Sequence, residues 1–184
     1  MIPFPNKKYN IIYADPPWHY NGNMMNSSVT DHYQVMTIND ICNLPIQKIT
    51  DTNCVLFMWV TLPKLNEFMK VVNTWGFEYK TTAFVWVKEN KNGGYFMGLG
   101  RWTRANPEIC ILATKGKISR KRNDIRQLQI FPIGKHSSKP KQFRNLIVDL
   151  IGDLPRIELF ARPPKDRLFE DKSFEGWDVW GNEA

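Results

Sequence analysis

Short runs of apolar residues recur along the chain, and between several of them apolar residues return at helical spacing. The runs are nearly continuous and rich in Ile, Val, Phe and Trp, which is typical of strands that are buried on both faces of a sheet. We therefore predict strands in each of these runs. They span residues Asn10–Ala14, Cys54–Val60, Thr82–Val87, Glu108–Ala113, Gln127–Phe131, Arg156–Phe160 and Trp177–Trp180.

Helices are predicted in three of the intervening segments. Residues 37–45 begin with the capping pattern Thr37-Ile38-Asn39-Asp40 and stop at a proline. Residues 63–76 and 140–152 each start at a proline, carry an apolar stripe at helical spacing and end at a glycine. Strands that alternate with helices predict an α/β fold with helices on both faces of the sheet. Residues 1–184 show no internal repeat and are expected to form one domain.

The composition favours an intracellular protein with an anionic partner. The 184 residues carry a net charge of +7 and the pI is about 9.3, so nucleic acid is the first partner to consider. Cys42, Cys54 and Cys110 lie far apart among apolar residues, which indicates reduced, buried thiols. No apolar stretch reaches membrane-spanning length and no signal peptide is visible, so we expect a cytoplasmic location and no membrane partner.

Two long segments have no predicted secondary structure. Residues 19–35 are rich in Asn, Ser and Met, and residues 89–107 contain Gly93, Gly94, Gly98 and Gly100. Loops of this length inside a compact domain are usually functional or mobile. We expect both segments to become ordered when a ligand binds.

The most informative motif is Asp15-Pro16-Pro17-Trp18, which directly follows the first apolar run. Proline fixes its own φ and biases the residue before it toward extended geometry, so Asp15 and Pro16 are held extended. Neither proline can donate a backbone hydrogen bond. The motif therefore presents a carboxylate and a bare carbonyl, both acceptors, beside a flat aromatic ring. This combination suits a planar ring that bears an amine, such as adenine, at the strand end where ligands bind in open α/β sheets.

Several segments together resemble the MT-A70 family of S-adenosylmethionine-dependent adenine methyltransferases, and most of all its compact phage and bacterial members. The resemblance rests on the Asp-Pro-Pro-Trp motif and on further segments that follow in the family's order across nearly the whole chain. These segments are residues 55–60, 100–112, 136–140, 157–162 and 176–183.

The resemblance implies a Rossmann-like methyltransferase fold that is circularly permuted, so that the catalytic motif precedes the cofactor-binding elements. It implies that Asp15, Pro16, Pro17 and Trp18 form the catalytic motif. The Asp15 carboxylate and the Pro16 carbonyl would each accept one N–H bond of the adenine amine. Trp18 would stack on the base or form a wall of its pocket, and ordinary core packing is the alternative for this residue.

The cofactor that the resemblance implies is S-adenosylmethionine. Lys139 precedes a predicted helix, and its ammonium there suits the methionine carboxylate of the cofactor. The other cofactor contacts are expected in the C-terminal part of the chain and at the catalytic aspartate. The expected cofactor-binding residues are Asp15, Lys139, Glu158, Arg162, Asn182 and Glu183.

Contacts to nucleic acid are expected from one aromatic residue after the motif and from two basic segments. Basic residues interleaved with aromatic ones suit base stacking and phosphate neutralisation near the active centre. A second basic loop suits phosphate contact, and a solvated hairpin is its alternative. The expected substrate-binding residues are Tyr20, Arg101, Trp102, Arg104, Asn106, Lys117, Arg120, Lys121 and Arg122. His19, His32 and His136 lack metal-ligand spacing, so no metal site is expected.

The function predicted from these observations is methylation of the exocyclic N6 amine of adenine in nucleic acid. DNA is favoured because the chain is compact like phage and bacterial relatives, and RNA adenosine is the alternative. A non-catalytic nucleic-acid-binding subunit of such an enzyme is a second hypothesis, which the intact Asp15–Trp18 motif and Lys139 oppose. A methyltransferase for a small-molecule or protein amine is a third, which the basic loops oppose. A homodimer is expected from the resemblance.

Overall fold

One mixed sheet forms the centre of the computed structural model, which describes residues 3–19, 35–100, 102–134, 138–161 and 174–181. In these ranges the strands are β1 Tyr9–Ala14, β2 Thr50–Val60, β3 Glu78–Glu89, β4 Pro107–Lys115, β5 Leu128–Pro132, β6 Arg156–Leu159 and β7 Asp178–Trp180. The α-helices there are α1 Ile38–Cys42, α2 Phe68–Thr74 and α3 Gln142–Ile151. Short 3-10 helices span Ile46–Lys48 and Leu62–Lys64. Every strand overlaps a predicted apolar run, and the predicted α/β class is confirmed.

All strands of this sheet except β4 point the same way. Their order across the sheet is β5-β3-β4-β2-β1-β6-β7. β4 runs antiparallel to its neighbours β2 and β3, and the other pairings are parallel. The carboxyl ends of the parallel strands and the amino end of β4 therefore meet along one border, which we call the carboxyl end of the sheet. The opposite border is the amino end.

The first strand of the chain lies inside the sheet. Residues 11–14 of β1 pair with residues 55–58 of β2 on one side and with residues 156–159 of β6 on the other. A strand from the start of the chain is thus flanked by one from its middle and one from its C-terminal part. This placement is what circular permutation would produce, and the permutation itself stays a prediction.

Alternate side chains of the strands fill two separate cores. On one face, Ile12 and Leu56 pack in a core that includes residues of α1 and α2. On the other face, Ile11 and Phe57 pack in a core that includes Ile147 of α3. The predictions that the strands are buried on both faces and that helices cover both faces are therefore confirmed.

The helix boundaries agree with the sequence pattern at α1 and differ at α2. At α1 the Thr37 Oγ1 atom accepts from the Asp40 amide, and the Asp40 Oδ2 atom accepts from the Thr37 amide, each at 3.2 Å. This reciprocal pair is the predicted capping box. In the segment predicted as one helix from residue 63, a 3-10 helix comes first. Lys64 is buried, and its Nζ atom lies 2.9 Å from the Glu67 Oε1 atom. α2 begins only at Phe68.

Three observations bear on cysteine, membrane and metal chemistry. Cys42, Cys54 and Cys110 are buried and free, as predicted. No helix within the described ranges has the length and apolar character that crossing a membrane requires. Among the residues placed by the structure, no three His, Cys, Asp or Glu side chains are grouped so that they could bind a metal ion.

The packing of α3 against the sheet leads to a stability prediction. Ile147 is fully buried, so Ile147→Ala should lower the free energy of unfolding by about 2–5 kcal/mol, through lost burial and the cavity left behind. Urea unfolding followed by circular dichroism measures this. Asn145→Ala, on the exposed side of the same helix, is the control and should change the value by less than about 0.5 kcal/mol. Equal effects of the two changes would contradict the assigned face of α3.

Candidate active site

The chain turns directly after β1, and this turn leaves the Asp15 side chain at the carboxyl end of the sheet. The Trp18 amide donates to the Pro16 carbonyl at 2.9 Å, and the Met36 amide donates to the Pro17 carbonyl at 2.8 Å. A carbonyl oxygen has two lone pairs, so the Pro16 oxygen can still accept one bond from a ligand. The Asp15 side chain is 33% exposed and can contact a ligand as well.

Trp18 is packed into the protein. The residue is 4% exposed, and its Nε1 atom donates to the Trp59 carbonyl at 3.1 Å. This placement supports the packing alternative for Trp18. The side chain fastens the turn after β1 to the end of β2, and it can wall a site but offers little open face for stacking.

Four charged side chains of alternating sign form a row beside this turn. The Lys139 Nζ atom lies 2.6 Å from Asp15 Oδ2 and 3.2 Å from Glu108 Oε2. The Lys88 Nζ atom lies 2.6 Å from Glu108 Oε1. Lys139, Glu108 and Lys88 are each less than 20% exposed, so the attractions are only weakly screened by water. We call Lys88, Glu108, Lys139 and Asp15 the charge row.

The pKa values within the charge row favour the charged forms. Burial alone would raise the pKa of Glu108, but Lys139 and Lys88 outweigh it and hold this pKa below its usual value. Burial alone would lower the pKa of Lys139, but Asp15 and Glu108 outweigh it and raise this pKa. Glu108 is therefore ionised and Lys139 is a permanent cation at neutral pH.

Aromatic rings support both lysines of the charge row. Lys139 Nζ lies 5.5 Å from the ring centroid of Trp59, and Lys88 Nζ lies 5.3 Å from that of Trp86. A cation over an aromatic face is attracted by the ring quadrupole. The Trp59 Nε1 atom donates to the Tyr13 hydroxyl at 2.7 Å, which fixes the Trp59 ring beside Lys139.

Glu158, at the carboxyl end of β6, is already paired. Arg144 Nε donates to its Oε2 atom at 2.5 Å, and Arg144 Nη2 donates to its Oε1 atom at 3.0 Å. Both side chains are buried, and the Arg144 guanidinium stacks 3.8 Å from the Phe174 ring centroid. Burial raises the pKa of Glu158 and the arginine opposes this change. Both carboxylate oxygens of Glu158 are thus engaged, so any contact with a cofactor needs their remaining lone pairs.

The structure brings together the whole Asp15–Trp18 motif and Lys139, as the sequence predicted for one site. Asn106, predicted to contact the substrate, instead bonds to the backbone: its Nδ2 atom donates to the carbonyls of Lys88 and Phe96, at 2.9 and 2.5 Å. It therefore braces the segment before β4. Trp102 and Arg104 lie exposed in that segment. Five predicted site residues lie outside the described residues: Tyr20, Arg101, Arg162, Asn182 and Glu183.

The second basic segment lies away from Asp15. β4 leaves the carboxyl end of the sheet at Glu108, and Lys115 pairs with Cys54 near the amino end. The basic loop continues from there, and Arg122 pairs with Asp124 at 2.6 Å. The structure therefore does not bring this loop to the active centre, because the antiparallel direction of β4 carries the chain to the opposite border. The residues concerned are Lys117, Arg120, Lys121 and Arg122.

Three residues of the site were not predicted from the sequence: Glu108, Lys88 and Trp59. Glu108 follows Asn106-Pro107 at the start of an apolar run, which is the one local signal that could have drawn attention to it. Lys88 and Trp59 carry no such signal. Their role depends on the order of β2, β3 and β4 in the sheet.

The residues present fit the amino-acid end of S-adenosylmethionine. That end carries one ammonium and one carboxylate group, and the site offers Asp15 and Lys139 within 2.6 Å of each other. The partly exposed Asp15 carboxylate can accept from an ammonium, and the Lys139 ammonium can pair with a carboxylate. The observed charges and spacing therefore match the polarity of the implied cofactor.

Comparison with known proteins gives a family match and several relatives. A family model described as MT-A70 matches residues 9–183. The Type II methyltransferase M.MunI of Mycoplasma sp is 36% identical over 97% of this chain and 79% of its own length. The N(6)-adenine-specific methyltransferase METTL4 of Homo sapiens is 28% identical over 97% of this chain and 38% of its own length. The N6-adenosine-methyltransferase non-catalytic subunit MTB of Arabidopsis thaliana is 32% identical over 61% of this chain and 15% of its own length.

The charge row leads to a prediction about stability and pH. Glu108→Gln should lower the free energy of unfolding at neutral pH by roughly 1.5–3 kcal/mol, because it removes charge-assisted hydrogen bonds. The folded-state pKa of Glu108 is depressed, so its stabilising effect is complete above the unfolded value of about 4.3 and is lost as pH falls through the folded value. Urea unfolding of both proteins over a pH series should therefore show a difference that shrinks in acid.

Glu78→Gln is the matched control for this experiment. The Glu78 side chain is 78% exposed and pairs with Lys80 on the surface. Its replacement should change stability by less than about 1 kcal/mol. A difference between wild type and Glu108→Gln that stays constant down to strongly acidic pH would contradict the assigned charge of Glu108.

Proposed function

The chain belongs to the MT-A70 family, and from this premise we propose that it is an S-adenosylmethionine-dependent methyltransferase acting on the N6 amine of adenine in DNA. The observation that carries the proposal is the contact between Asp15 and Lys139, 2.6 Å apart at the carboxyl end of the sheet. In this contact Asp15 is the hydrogen-bond acceptor proposed for the adenine amine, and Lys139 is the cation proposed for the cofactor carboxylate. The contact lies at the border where ligands bind in open α/β sheets.

Asp15 and Pro16 act on the amine by hydrogen bonding. The exocyclic nitrogen of adenine is a poor nucleophile because its lone pair is delocalised into the ring. An Asp15 carboxylate oxygen accepts one N–H bond, and the free lone pair of the Pro16 carbonyl accepts the other. These bonds favour a pyramidal nitrogen whose lone pair points away from both acceptors, toward the methyl donor. Positioning of this kind supplies much of the rate when two partners are held in line.

Lys139 and its neighbours hold the site in its charged form. When bound, S-adenosylmethionine supplies an electrophilic methyl group on a sulfonium. Lys139 would pair with the cofactor carboxylate. Glu108 holds the Lys139 ammonium in place, and Lys88 balances the charge of Glu108. Arg162, Asn182 and Glu183 are proposed to complete the cofactor site, together with Glu158.

The named relatives favour DNA as the substrate, and the charge of the chain suits nucleic acid in general. The chain spans 79% of M.MunI, which is named a Type II methyltransferase, and METTL4 is named for adenine. The relative named for adenosine, MTB, is matched over only 15% of its length. The net charge of +7 suits a polyanion. RNA methylation is the alternative, and a homodimer in the cytoplasm stays a prediction.

A non-catalytic subunit is the second candidate function, because MTB bears that description. The present chain keeps an acidic residue at position 15 and an intact charge row around it. A subunit without activity has no need for a buried cation next to a half-exposed carboxylate. These contacts favour catalysis.

Replacing the proposed amine acceptor tests the function directly. Wild-type protein with radiolabelled S-adenosylmethionine should label adenine-containing DNA and leave matched DNA without adenine unlabelled. Asp15→Asn keeps the shape of the side chain but removes its charge, so transfer should fall by at least about a hundredfold. Scintillation counting of the oligonucleotides, single- and double-stranded, DNA and RNA, is the measurement.

Asp51→Asn serves as the control, since Asp51 lies at the start of β2 near the amino end of the sheet. It should leave transfer unchanged. Wild-type protein that labels none of these adenine-containing oligonucleotides would overturn the proposed function. Asp15→Asn with near wild-type transfer would overturn only the role of Asp15.

The placement of the two basic segments predicts different effects on DNA binding. Arg104 lies between β3 and β4 at the carboxyl end of the sheet, and Lys117 lies near the amino end. Arg104→Gln should weaken binding and lower the salt slope of log K by about 0.9, as expected for one lost phosphate contact. Lys117→Gln should leave the slope unchanged. Fluorescence anisotropy over a salt series measures both, and the reverse result would assign the DNA surface to the amino end.

A further inference from the structure

An exposed apolar ridge lies in the segment between β3 and β4. From residue 95 to residue 100, exposed residues alternate with half-buried ones, and two of the half-buried residues are glycines. The outward positions hold Tyr95, Met97 and Leu99, which are 68%, 73% and 85% exposed, and Trp102 follows at 94%. Apolar side chains of this size are normally buried in a core. Here they face solvent. We call these four residues the apolar ridge.

The inner side of the same segment is in close contact with residues 103–105, which lead into β4. The Gly98 amide donates to the Ala105 carbonyl at 2.8 Å. A Cβ atom on Gly98 would lie 2.5 Å from that oxygen, and one on Gly100 would lie 1.7 Å from the Thr103 carbonyl oxygen. Both positions therefore require glycine. This close backbone contact covers the inner side of the segment, and the apolar ridge faces outward.

The apolar ridge is fastened to the charge row. The Phe96 amide donates to the Lys88 carbonyl at 2.9 Å, and Asn106 bridges the carbonyls of both residues. The Lys88 ammonium in turn pairs with Glu108, which pairs with Lys139 beside Asp15. The segment is thus attached through Lys88 to the charge row that ends at Asp15, and it lies at the same end of the sheet as the proposed site.

We propose that the apolar ridge is a wedge that enters the base stack of a DNA duplex and holds it open beside the target adenine. Chemistry on the N6 amine requires the base to leave the helix, at a cost of a few kcal/mol. Apolar side chains that insert between base steps offset this cost in proteins that deform DNA. Arg104 and Lys91, both exposed in the same segment, suit the flanking phosphates. This inference rests on the proposed function and adds the duplex as its substrate.

A second copy of the chain fits the apolar ridge less well. A stable protein interface buries about 800 Å² on each partner through about 20–30 residues. The apolar ridge consists of four side chains on one narrow segment with basic residues beside it. The narrow row of apolar side chains suits the gap between two stacked bases, and the basic residues beside it suit the flanking phosphates.

A double substitution in the apolar ridge tests the wedge. Met97→Ser combined with Leu99→Ser removes two apolar tips and leaves the glycines, Asn106 and the charge row unchanged. Leu128→Ser combined with Ile130→Ser is the matched control, because these β5 residues are also exposed apolar side chains, at 55% and 44%. Two readouts are compared: permanganate reactivity of thymines in mixed-sequence duplex DNA, and methyl transfer to single- and double-stranded DNA.

Wild-type protein and the β5 control should both raise thymine reactivity in the duplex, since thymines opposite displaced adenines become unstacked. The variant with Met97→Ser and Leu99→Ser, called the ridge variant, should lose this signal. Its transfer to duplex DNA should fall by about tenfold or more, which corresponds to a loss of about 1.4 kcal/mol or more. Transfer to single-stranded DNA should change by less than about threefold, because no stack has to be opened. An abasic site opposite the target adenine should restore transfer by the ridge variant.

Three results would overturn the wedge. One is an equal loss on single- and double-stranded DNA, and another is full activity of the ridge variant on duplex DNA. The third is a wild-type dimer, measured by light scattering, that the ridge substitutions dissociate, because the apolar ridge would then be a contact between two copies. Absence of transfer by wild-type protein to any adenine would instead overturn the proposed function. The permanganate signal separates the two failures, since it requires no methyl transfer.

Discussion

The mutual dependence of the four charges at the carboxyl end of the sheet is the constraint on which the site rests. A charge taken out of water loses its solvation, and close opposite charges must replace it. Lys139 lies between two carboxylates, and Glu108 lies between two ammonium groups. Removing either inner member leaves two like charges without a partner between them. The fold must therefore deliver β1, β3, β4 and the segment before α3 to one place.

The reversed direction of β4 is what makes this possible. Glu108 is the second residue of β4, and only an antiparallel strand places its first residues beside the carboxyl ends of β2 and β3. The same reversal sends the following basic loop to the opposite border. One strand direction thus supplies the central carboxylate of the site and separates the two basic segments of the chain.

Local sequence was sufficient to predict the strands, but it predicted only part of the site. Apolar runs buried on both faces leave a signal that needs no knowledge of neighbours, so each strand was located within a few residues. The Asp15–Trp18 turn and Lys139 were recognisable because their residue types are chemically unusual. Glu108 and Lys88 were not, since a single charge at a strand end normally faces water. Their burial follows from strand order, which apolar periodicity does not encode.

The segment around Gly98 and Gly100 combines a fixed inner face with an open outer one. Any side chain at the two glycines would collide with backbone, whereas the outward side chains are mostly exposed to solvent. Substitutions can therefore accumulate on the outer face without moving the atoms that react. A lineage of such chains can change what it touches on a substrate while keeping its chemistry, so the contacts and the reaction are free to evolve at different rates.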